Sequence, residues 1–171
     1  GKTKLITSKG FEVDGKDIVL DNKKRIISSN SNTTVIDKDG NKVEVEMFNY
    51  FIDKNIFFSK GKIKLIDSKS NEYNLSEIYI DEKKGKLIGT DVKVFLNSPD
   101  LKINSKNEPR MFANSISLSG NDSTLEKGIF TYCENKGKDK CPPWTLQSKK
   151  IKHNKSKKTI YYDNAVLKIY D

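Results

Sequence analysis

The side chains that most often carry chemistry are sparse in this sequence. His153 is its only histidine and lies in the basic run 149–155, so neither a Ser-His-Asp triad nor a histidine metal site can be built around it. The run 37–40, Asp-Lys-Asp-Gly, resembles the first half of a calcium loop, but the later ligands and the closing glutamate are missing. A hairpin turn is the better interpretation. We therefore expect neither an enzyme nor a protein with a metal or cofactor.

Glu44 and Glu46 have a spacing that suits paired acid–base chemistry. They are two residues apart on a predicted strand, so both side chains should lie on the same face. The opposite face would carry Val43, Val45 and Met47, which makes the glutamate face the solvated one. The two carboxylates are therefore expected to form an ordinary polar surface rather than a catalytic pair.

Cys133 and Cys141 are the only cysteines and lie eight positions apart. With a single distant histidine they are too few to complete a zinc site, so they form either a disulfide or two free thiols. We favour the disulfide, which would stabilise the fold by roughly 2–3 kcal/mol through its effect on the unfolded chain. A disulfide would also place the domain in an oxidising compartment, such as the periplasm, the cell surface or the exterior.

The composition favours β structure with a thin core. Ile, Val, Thr and the aromatic residues make up 51 of the 171 positions, whereas alanine occurs twice, and β-branched and aromatic side chains suit a pleated sheet. The apolar fraction of 35% is low and indicates a core one layer deep. The net charge of +9 comes almost entirely from lysine, with two arginines, which argues against a sequence-reading nucleic-acid binder.

Apolar residues alternate with polar ones along most of the chain. A period of two predicts strands with one buried and one solvated face, as in antiparallel sheets. Short strands at regular spacing predict an all-β sandwich, roll or barrel, and no window predicts an amphipathic helix. Turn signals separate the runs at Asp14-Gly15, Asp39-Gly40, Lys60-Gly61, Lys84-Gly85 and 119–122.

A weak internal repeat is also visible. Three units begin at apolar runs that end in Asp21, Asp53 and Asp81, which follow one another at nearly equal intervals. The turn at Asp37 is matched by another at Asp67. A regular repeat that contains only strands predicts hairpins stacked side by side, each burying its face against the next.

Several segments of the C-terminal third match one known family in order. The most specific is 141–146, Cys-Pro-Pro-Trp-Thr-Leu, and the others are 110–113, 128–133, 148–151, 159–162 and 164–167. In these segments the chain resembles the OstA-like family, and within it the periplasmic N-terminal domain of the outer-membrane lipopolysaccharide-assembly protein LptD. The resemblance is strong over 108–171 and moderate over the remainder, where the strand pairs of 18–96 are similar to the family's repeats.

The resemblance implies a fold and a ligand. The fold would be a single domain over residues 1–171, a twisted antiparallel β-jellyroll in the form of an open trough with an apolar groove and unpaired end strands. The ligand would be lipopolysaccharide, whose acyl chains gain about 0.8 kcal/mol for each CH₂ group buried in a dry groove. In this family the groove of one domain is prolonged by the next.

The resemblance also implies partners and a location. A homologous periplasmic jellyroll, the bridge protein, would dock by edge-strand pairing, and an outer-membrane β-barrel would follow this domain in the same, longer chain. The early edge, around residues 4–13, would accept the bridge, and residues 161–170 would lead to the barrel. The domain would lie in the periplasm, tethered to the outer membrane. Family members differ in cysteine placement and some link this domain to the barrel, so the partner of Cys133 stays open.

The alternating apolar positions provide the predicted groove lining. They are expected to face inward while their polar neighbours face water. The predicted lipid-binding residues are Val43, Val45, Met47, Ile63, Leu65, Val92, Val94, Leu96, Ile116 and Leu118, with Phe11, Val13, Trp144 and Leu146 as further candidates.

Three other interpretations of the sequence stay open. The chain could be a free-standing OstA-like bridge or adaptor protein with the same fold. It could instead be a periplasmic or secreted β domain that binds polyanions through the lysine-rich run 149–158. Finally, the alternating apolar positions could pack into an ordinary sandwich core that holds no ligand.

The disulfide hypothesis predicts that mass spectrometry of the unreduced protein finds Cys133 and Cys141 linked to each other. Reduction is expected to lower the melting temperature without abolishing the fold, because the loop that the bond closes is short. Quantitative alkylation of both thiols before reduction would contradict the disulfide and weaken the periplasmic assignment.

Overall fold

The structure is a computed structural model that describes residues 1–7, 10–96, 107–120, 122–134, 144–154, 156–157 and 159–170. Cys141 lies outside these residues, and so does the predicted disulfide. In the described ranges all regular structure is antiparallel strand, which confirms the all-β prediction. Over the same ranges, no helix is long and apolar enough to cross a membrane.

Across the described residues, fourteen strands join into one continuous sheet. They are β1 (Lys2–Ile6), β2 (Glu12–Lys16), β3 (Val19–Asp21), β4 (Ile26–Ser29), β5 (Thr33–Ile36), β6 (Lys42–Val45), β7 (Phe48–Phe51), β8 (Ile56–Ile66), β9 (Glu72–Asp81), β10 (Lys86–Phe95), β11 (Asn107–Ser119), β12 (Asp122–Glu134), β13 (Trp144–Asn154) and β14 (Thr159–Ile169).

The sheet divides into two branches at β8. Residues 56–58 of β8 pair with β7, and this branch continues through β4 to β3. Residues 63–66 pair with β6, and this branch continues through β5 and β2 to β1. β9 pairs with both parts of β8, and β10 to β14 then follow in chain order. The ends of the sheet are therefore β1, β3 and β14.

A line of backbone kinks crosses the sheet where the branches diverge. Gly61, Asp91, Lys127 and Asn164 have positive φ and lie on β8, β10, β12 and β14, which are alternate strands. Nearer the N-terminus the strands themselves are interrupted at the same line. The interruptions lie between β2 and β3, between β4 and β5, and between β6 and β7. Each kink interrupts the alternation of side chains along its strand, so the halves on either side are out of phase, and at Gly61 the register against β9 also shifts.

Positive φ also marks two sets of turns that recur at a constant interval. The residues are Arg25, Asn55 and Gly85 in one set, and Gly10, Gly40 and Ser70 in the other. In the second set, a side-chain oxygen of Thr7, Asp37 or Asp67 accepts the backbone N–H four residues later, at 2.9–3.0 Å. These hydrogen bonds confirm the hairpin turn predicted at 37–40 and show that the three units share local structure.

The internal repeat is therefore confirmed, with a corrected alignment. Its interval is the same from the first unit to the second as from the second to the third, so the structural equivalent of Asp21 and Asp81 is Phe51 rather than Asp53. Phe51 is the last residue of β7, and Asp53 lies two residues further on, inside the turn. The predicted alignment, which superimposed the three aspartates, was therefore wrong by two residues in the second unit. Each unit consists of two extended segments that are interrupted at the kink line near the N-terminus and continuous through it in β8, β9 and β10.

Two of the predicted turns are wrong. Gly15 is buried inside β2, where a Cβ atom would lie 2.8 Å from Thr33 Oγ1, so this glycine permits close packing rather than a turn. Gly61 lies inside β8 at the register shift against β9, with a φ of 106°. The turns at Asp39-Gly40 and Lys84-Gly85 are confirmed. Ser119 pairs with Asp122 at the turn predicted at 119–122, of which Asn121 lies outside the described residues.

The core is a single layer of side chains along the kink line. Ile63 has no exposed surface, and Ile78, Val92 and Ile151 are nearly as buried. The buried apolar cluster consists of Val45, Phe48, Ile63, Leu75, Ile78, Val92, Val94, Ala113, Ile116, Leu125 and Ile151. These residues form the floor from which the two halves of the sheet rise.

Gly61→Ala is expected to destabilise the fold by about 1–2 kcal/mol, because an L-residue is strained at this φ. A Cβ atom at this position would also lie 2.9 Å from Glu46 Oε2. Urea unfolding measures the change, with Lys62→Ala at the exposed neighbouring position as the control. Equal stability of the two variants would show that the kink line does not require glycine here.

Candidate functional site

One row of side chains crosses eleven strands of the sheet on a single face. Directly paired residues of neighbouring antiparallel strands point to the same face, so the strand register defines the row. We call it the long row. From β1 to β14 it consists of Leu5, Val13, Val35, Val43, Leu65, Tyr73, Val94, Met111, Phe130, Leu146 and Leu167.

A second row lies on the other side of the kink line. We call it the short row, and from β3 to β11 it consists of Leu20, Ile27, Tyr50, Phe57, Ile80, Leu87 and Leu118. Beyond β11 the same register continues with Ser123, His153 and Ile160, so polar residues interrupt this side on β12 and β13. The long row stays apolar to its end.

The two rows face each other across one cavity of about 610 Å³. Six residues of the long row, from Leu5 to Tyr73, form one wall, and six of the short row, from Ile27 to Leu118, form the other. Ile78 and Ile116 from the core lie between the walls. Six neighbouring strands span about 24 Å, because strands in a sheet lie roughly 4.8 Å apart. The bent sheet is therefore a trough with an apolar interior.

The internal repeat builds both walls. Four positions of the unit each recur three times, giving twelve apolar side chains, of which all but Leu20 line the cavity. These positions are 5, 35 and 65; 13, 43 and 73; 20, 50 and 80; and 27, 57 and 87. Each unit thus adds two strands to the trough and one residue to each wall from each strand.

Apart from the Tyr50 and Tyr73 hydroxyls, the polar side chains that line the cavity belong to the turns at its borders. Asp37, Asn41 and Asp67 reach it from one set of turns, and Asn55 and Glu82 reach it from the other. Among these groups, Asp67 Oδ2 accepts hydrogen bonds from Asn71 at 2.9 Å and from the Tyr73 hydroxyl at 3.1 Å. The trough therefore has charges at its borders and hydrocarbon between them.

Tyr73 is a tyrosine in an otherwise aliphatic part of the long row. Burial raises the pKa of its phenol far above the ordinary value, and the negative charge of Asp67 acts in the same direction. Its hydroxyl therefore stays protonated across the physiological range and donates to Asp67. The wall carries no charge at this position, and its one polar atom is already hydrogen-bonded.

The predicted groove residues divide between the wall and the floor of the trough. Val43, Leu65, Ile116 and Leu118 line the cavity, and so do the further candidates Phe11 and Val13. Val45, Ile63, Val92 and Val94 are buried in the core beneath it. These placements bring eight of the ten predicted positions to the inner side of the sheet, and their lipid-binding role stays a prediction.

The remaining candidates lie away from the cavity. Met47 falls in the break between β6 and β7, where its carbonyl accepts the Ser59 hydroxyl at 2.7 Å, and Phe48 takes the buried position instead. Leu96 packs against the core at the end of β10. Leu146 belongs to the long row, and Trp144 makes an edge-to-face contact with Phe130, both beyond the part of the trough that encloses the cavity.

Sequence reasoning missed most of the short row. Its members Tyr50, Phe57 and Ile80 lie beyond the kinks, where the alternation shifts by one residue. A period-two search that continues across such a kink assigns these side chains to the wrong face. The signal that would have found them is the constant interval of the repeat, because Leu20, Tyr50 and Ile80 occupy one position of the unit.

The side chains considered for catalysis have structural roles. Glu44 forms an ion pair with Lys42 on the outer face, and the Glu46 carboxylate accepts the Lys62 backbone N–H at 3.0 Å. His153 is half-buried on β13, between Ser123 and Ile160. Among the residues that the structure describes, no group of three or more His, Cys, Asp or Glu side chains is arranged to hold a metal ion.

Fold and cavity together define an all-β domain whose open, bent sheet encloses an apolar trough. No family model and no curated protein matches the sequence. Among solved structures the chain is similar to a crystal structure of LptH from Pseudomonas aeruginosa, described as the LptA-homologous periplasmic component of the lipopolysaccharide transport device. The two share 13% identity over 95% of this chain and 96% of that one, with a TM-score of 0.35. A superposition this loose carries no functional conclusion, which must come from the chain's own geometry.

Proposed function

We propose that this domain is a non-enzymatic lipid conduit that holds the acyl chains of lipopolysaccharide in the trough. The observation that carries the proposal is the cavity of about 610 Å³ between two apolar rows. Its size falls in the range of ligand-binding pockets, which is roughly 300–1,000 Å³. The sequence resemblance to the OstA-like family supports the choice of lipopolysaccharide as the amphiphile.

The energetics of the trough favour an acyl chain as its occupant. Each CH₂ group transferred from water to the apolar walls contributes about 0.8 kcal/mol. The walls offer hydrocarbon and aromatic rings over six strands, and the charged groups lie at the borders. A ligand that is polar throughout would lose its hydration without gaining hydrogen bonds, so the trough selects for hydrocarbon.

The ends of the sheet support a conduit rather than a closed binding pocket. The long row extends to both edge strands, where Leu5 of β1 is 39% exposed and Leu167 of β14 is 59% exposed. A second β domain that pairs with either edge would prolong the apolar surface across the junction. We propose that β1 accepts a homologous periplasmic bridge protein and that β14 leads toward an outer-membrane barrel.

The proposal includes a periplasmic location tethered to the outer membrane and an assignment to the N-terminal domain of LptD. Support for LptD over a free-standing bridge protein comes from the 141–146 motif, of which 141–143 lie outside the described residues. In an LptD domain and in a free-standing bridge protein alike, the trough would hold the lipid and the two edge strands would dock neighbouring domains. A polyanion would bind the charged surface, so a polyanion-binding function would not account for the apolar cavity.

A photo-crosslinking amino acid at Val43 or Leu65 is expected to capture lipopolysaccharide, because both side chains line the cavity. The matched controls are Glu44 and Lys64, which lie next to these positions on the same two strands and face outward. They are directly opposite each other in the β6–β8 ladder. Adducts are measured by immunoblotting after irradiation of the purified domain with lipopolysaccharide.

Comparable labelling at the inner and outer positions would contradict the trough as the binding site. An absence of adducts at all four positions, with copurified lipid also absent from mass spectra of extracts, would favour a packed structure that holds no ligand. Circular dichroism of each variant shows whether the fold is retained.

Proline at Lys4 or Ile6 is expected to abolish binding of the bridge protein while the domain stays folded. The hydrogen bonds from Asp17 N to Gly1 O and from Thr7 N to Phe11 O orient the odd-numbered residues of this edge toward β2. The N–H groups of residues 4 and 6 therefore point away from the sheet, where a docking strand would need them.

Leu5→Pro is the informative contrast, because it removes an N–H that faces β2 and should loosen β1 itself. Lys4→Ala retains the N–H and should bind normally. Binding is measured by pull-down, and folding by circular dichroism and by lipid capture in the isolated domain. Normal bridge binding by both Lys4→Pro and Ile6→Pro would show that β1 is not the docking edge.

A further inference from the structure

The two borders of the trough carry unequal charge. One border, which we call the basic lip, consists of the turns 22–25, 52–55 and 82–85, with six cationic and two acidic side chains. The other border is formed by the equivalent turns 7–11, 37–41 and 67–71. We call 37–41 and 67–71 the acidic lip; they carry two lysines and three aspartates, and Lys9 of the first turn lies outside the described residues. Turns 52–55 and 82–85 of the basic lip and both turns of the acidic lip contribute residues to the same cavity. A ligand in the trough therefore meets a directional electrostatic field.

The basic lip is a continuous structure rather than three separate turns. Ile52 N donates to Arg25 O at 3.0 Å, and Glu82 N donates to Asn55 O at 3.0 Å, so each turn is hydrogen-bonded to the next. The Lys83 ammonium donates to the Asp53 carbonyl at 3.0 Å. These contacts place the three turns side by side.

The charges of the basic lip are available to an external anion. The side chains of Lys24 and Lys84 are 75% and 76% exposed, although each also lies within 4 Å of an aspartate at the end of its strand. The Lys54 ammonium lies 5.9 Å from the centre of the Phe51 ring and is exposed. The Lys24–Asp21 pair is exposed on both sides and is therefore weak, whereas Asp81 is only 11% exposed. An incoming phosphate can thus compete most readily for Lys24 and Lys54.

The basic lip also adjoins the hydrocarbon of the cavity. Ile52, Asn55 and Glu82 belong to its turns and at the same time line the cavity. Lys54 and Lys83 are their immediate chain neighbours. An amphiphile whose tail lies on the short row would therefore have its headgroup among the lysines.

We infer that the basic lip binds the anionic headgroup, in particular the phosphate groups, of the amphiphile whose tails occupy the trough. This inference rests on the proposed lipid-binding function and adds the orientation of the ligand. The headgroup lies at the turns 22–25, 52–55 and 82–85, because the opposite border has no excess of cationic side chains. Lysine ammonium groups bind phosphate as point charges, which suits headgroups of varied geometry.

The test compares two variants with the same change in charge. Lys54→Glu/Lys83→Glu alters the basic lip, and Lys38→Glu/Lys69→Glu alters the acidic lip. The probes are dodecyl phosphate and dodecyl maltoside, which share a tail but differ in headgroup charge. Isothermal titration calorimetry at low and high salt gives the dissociation constants, and circular dichroism checks the fold of each variant.

The basic-lip variant is expected to bind dodecyl phosphate about tenfold more weakly at low salt, with dodecyl maltoside unaffected. The acidic-lip variant should bind both probes as the original protein does, and high salt should reduce the difference between the variants. Equal weakening by both variants, or no weakening by the basic-lip variant, would overturn the inference.

Two further outcomes separate this inference from the proposed function. Displacement of dodecyl phosphate by the same concentration of inorganic phosphate would overturn the inference, because the lip would then be a free-anion site. Unchanged maltoside binding alongside that result would leave the lipid-binding proposal intact. Failure of the original protein to bind either probe would count against the proposed function and the inference together.

Discussion

The structure depends on the line of kinks that bends one sheet into two facing walls. A flat sheet with one apolar face would need a second layer to cover that face. Here the positive-φ residues Gly61, Asp91, Lys127 and Asn164 turn every second strand at the same height, so the sheet covers itself. The side chains along the bend pack tightly, whereas those further out on the walls are too far apart to meet. The part of each strand near the bend therefore stabilises the fold, and the part further out borders the space that a ligand would occupy.

This division explains how a domain with so little apolar content has both a core and a cavity. The floor buries residues such as Ile63 and Ile78 completely. The walls leave residues such as Val43 and Phe57 only half-buried, and their remaining apolar surface is what a hydrocarbon chain would cover. The outer face of the sheet contributes little to the stability of the fold, because its charged side chains form exposed ion pairs such as that of Lys60 with Glu77.

The repeat gives the trough its length and its electrostatic direction. Because every unit supplies the same wall positions and the same two turns, apolar rows and charged lips extend together. Asp37 and Asp67 cap equivalent turns at one border, while lysines occupy the equivalent turns at the other. A ligand bound in the trough would experience the same environment in successive units, which suits movement along it more than fixation at one point.

The sequence by itself determined the strand content, the repeat and the character of the core. Period-two alternation and β-branched composition are local properties, so they identified antiparallel strands and placed Val43, Val45, Ile63 and Leu65 on one face. They could not locate the kinks, because positive φ at Asp91, Lys127 or Asn164 has no signature in residue type comparable to glycine. Beyond each kink the inward phase changes, which is why Tyr50, Phe57 and Ile80 were missed. Only the tertiary structure decided which apolar residues fill the floor and which border open space, because that depends on the distance between walls formed by strands far apart in the chain.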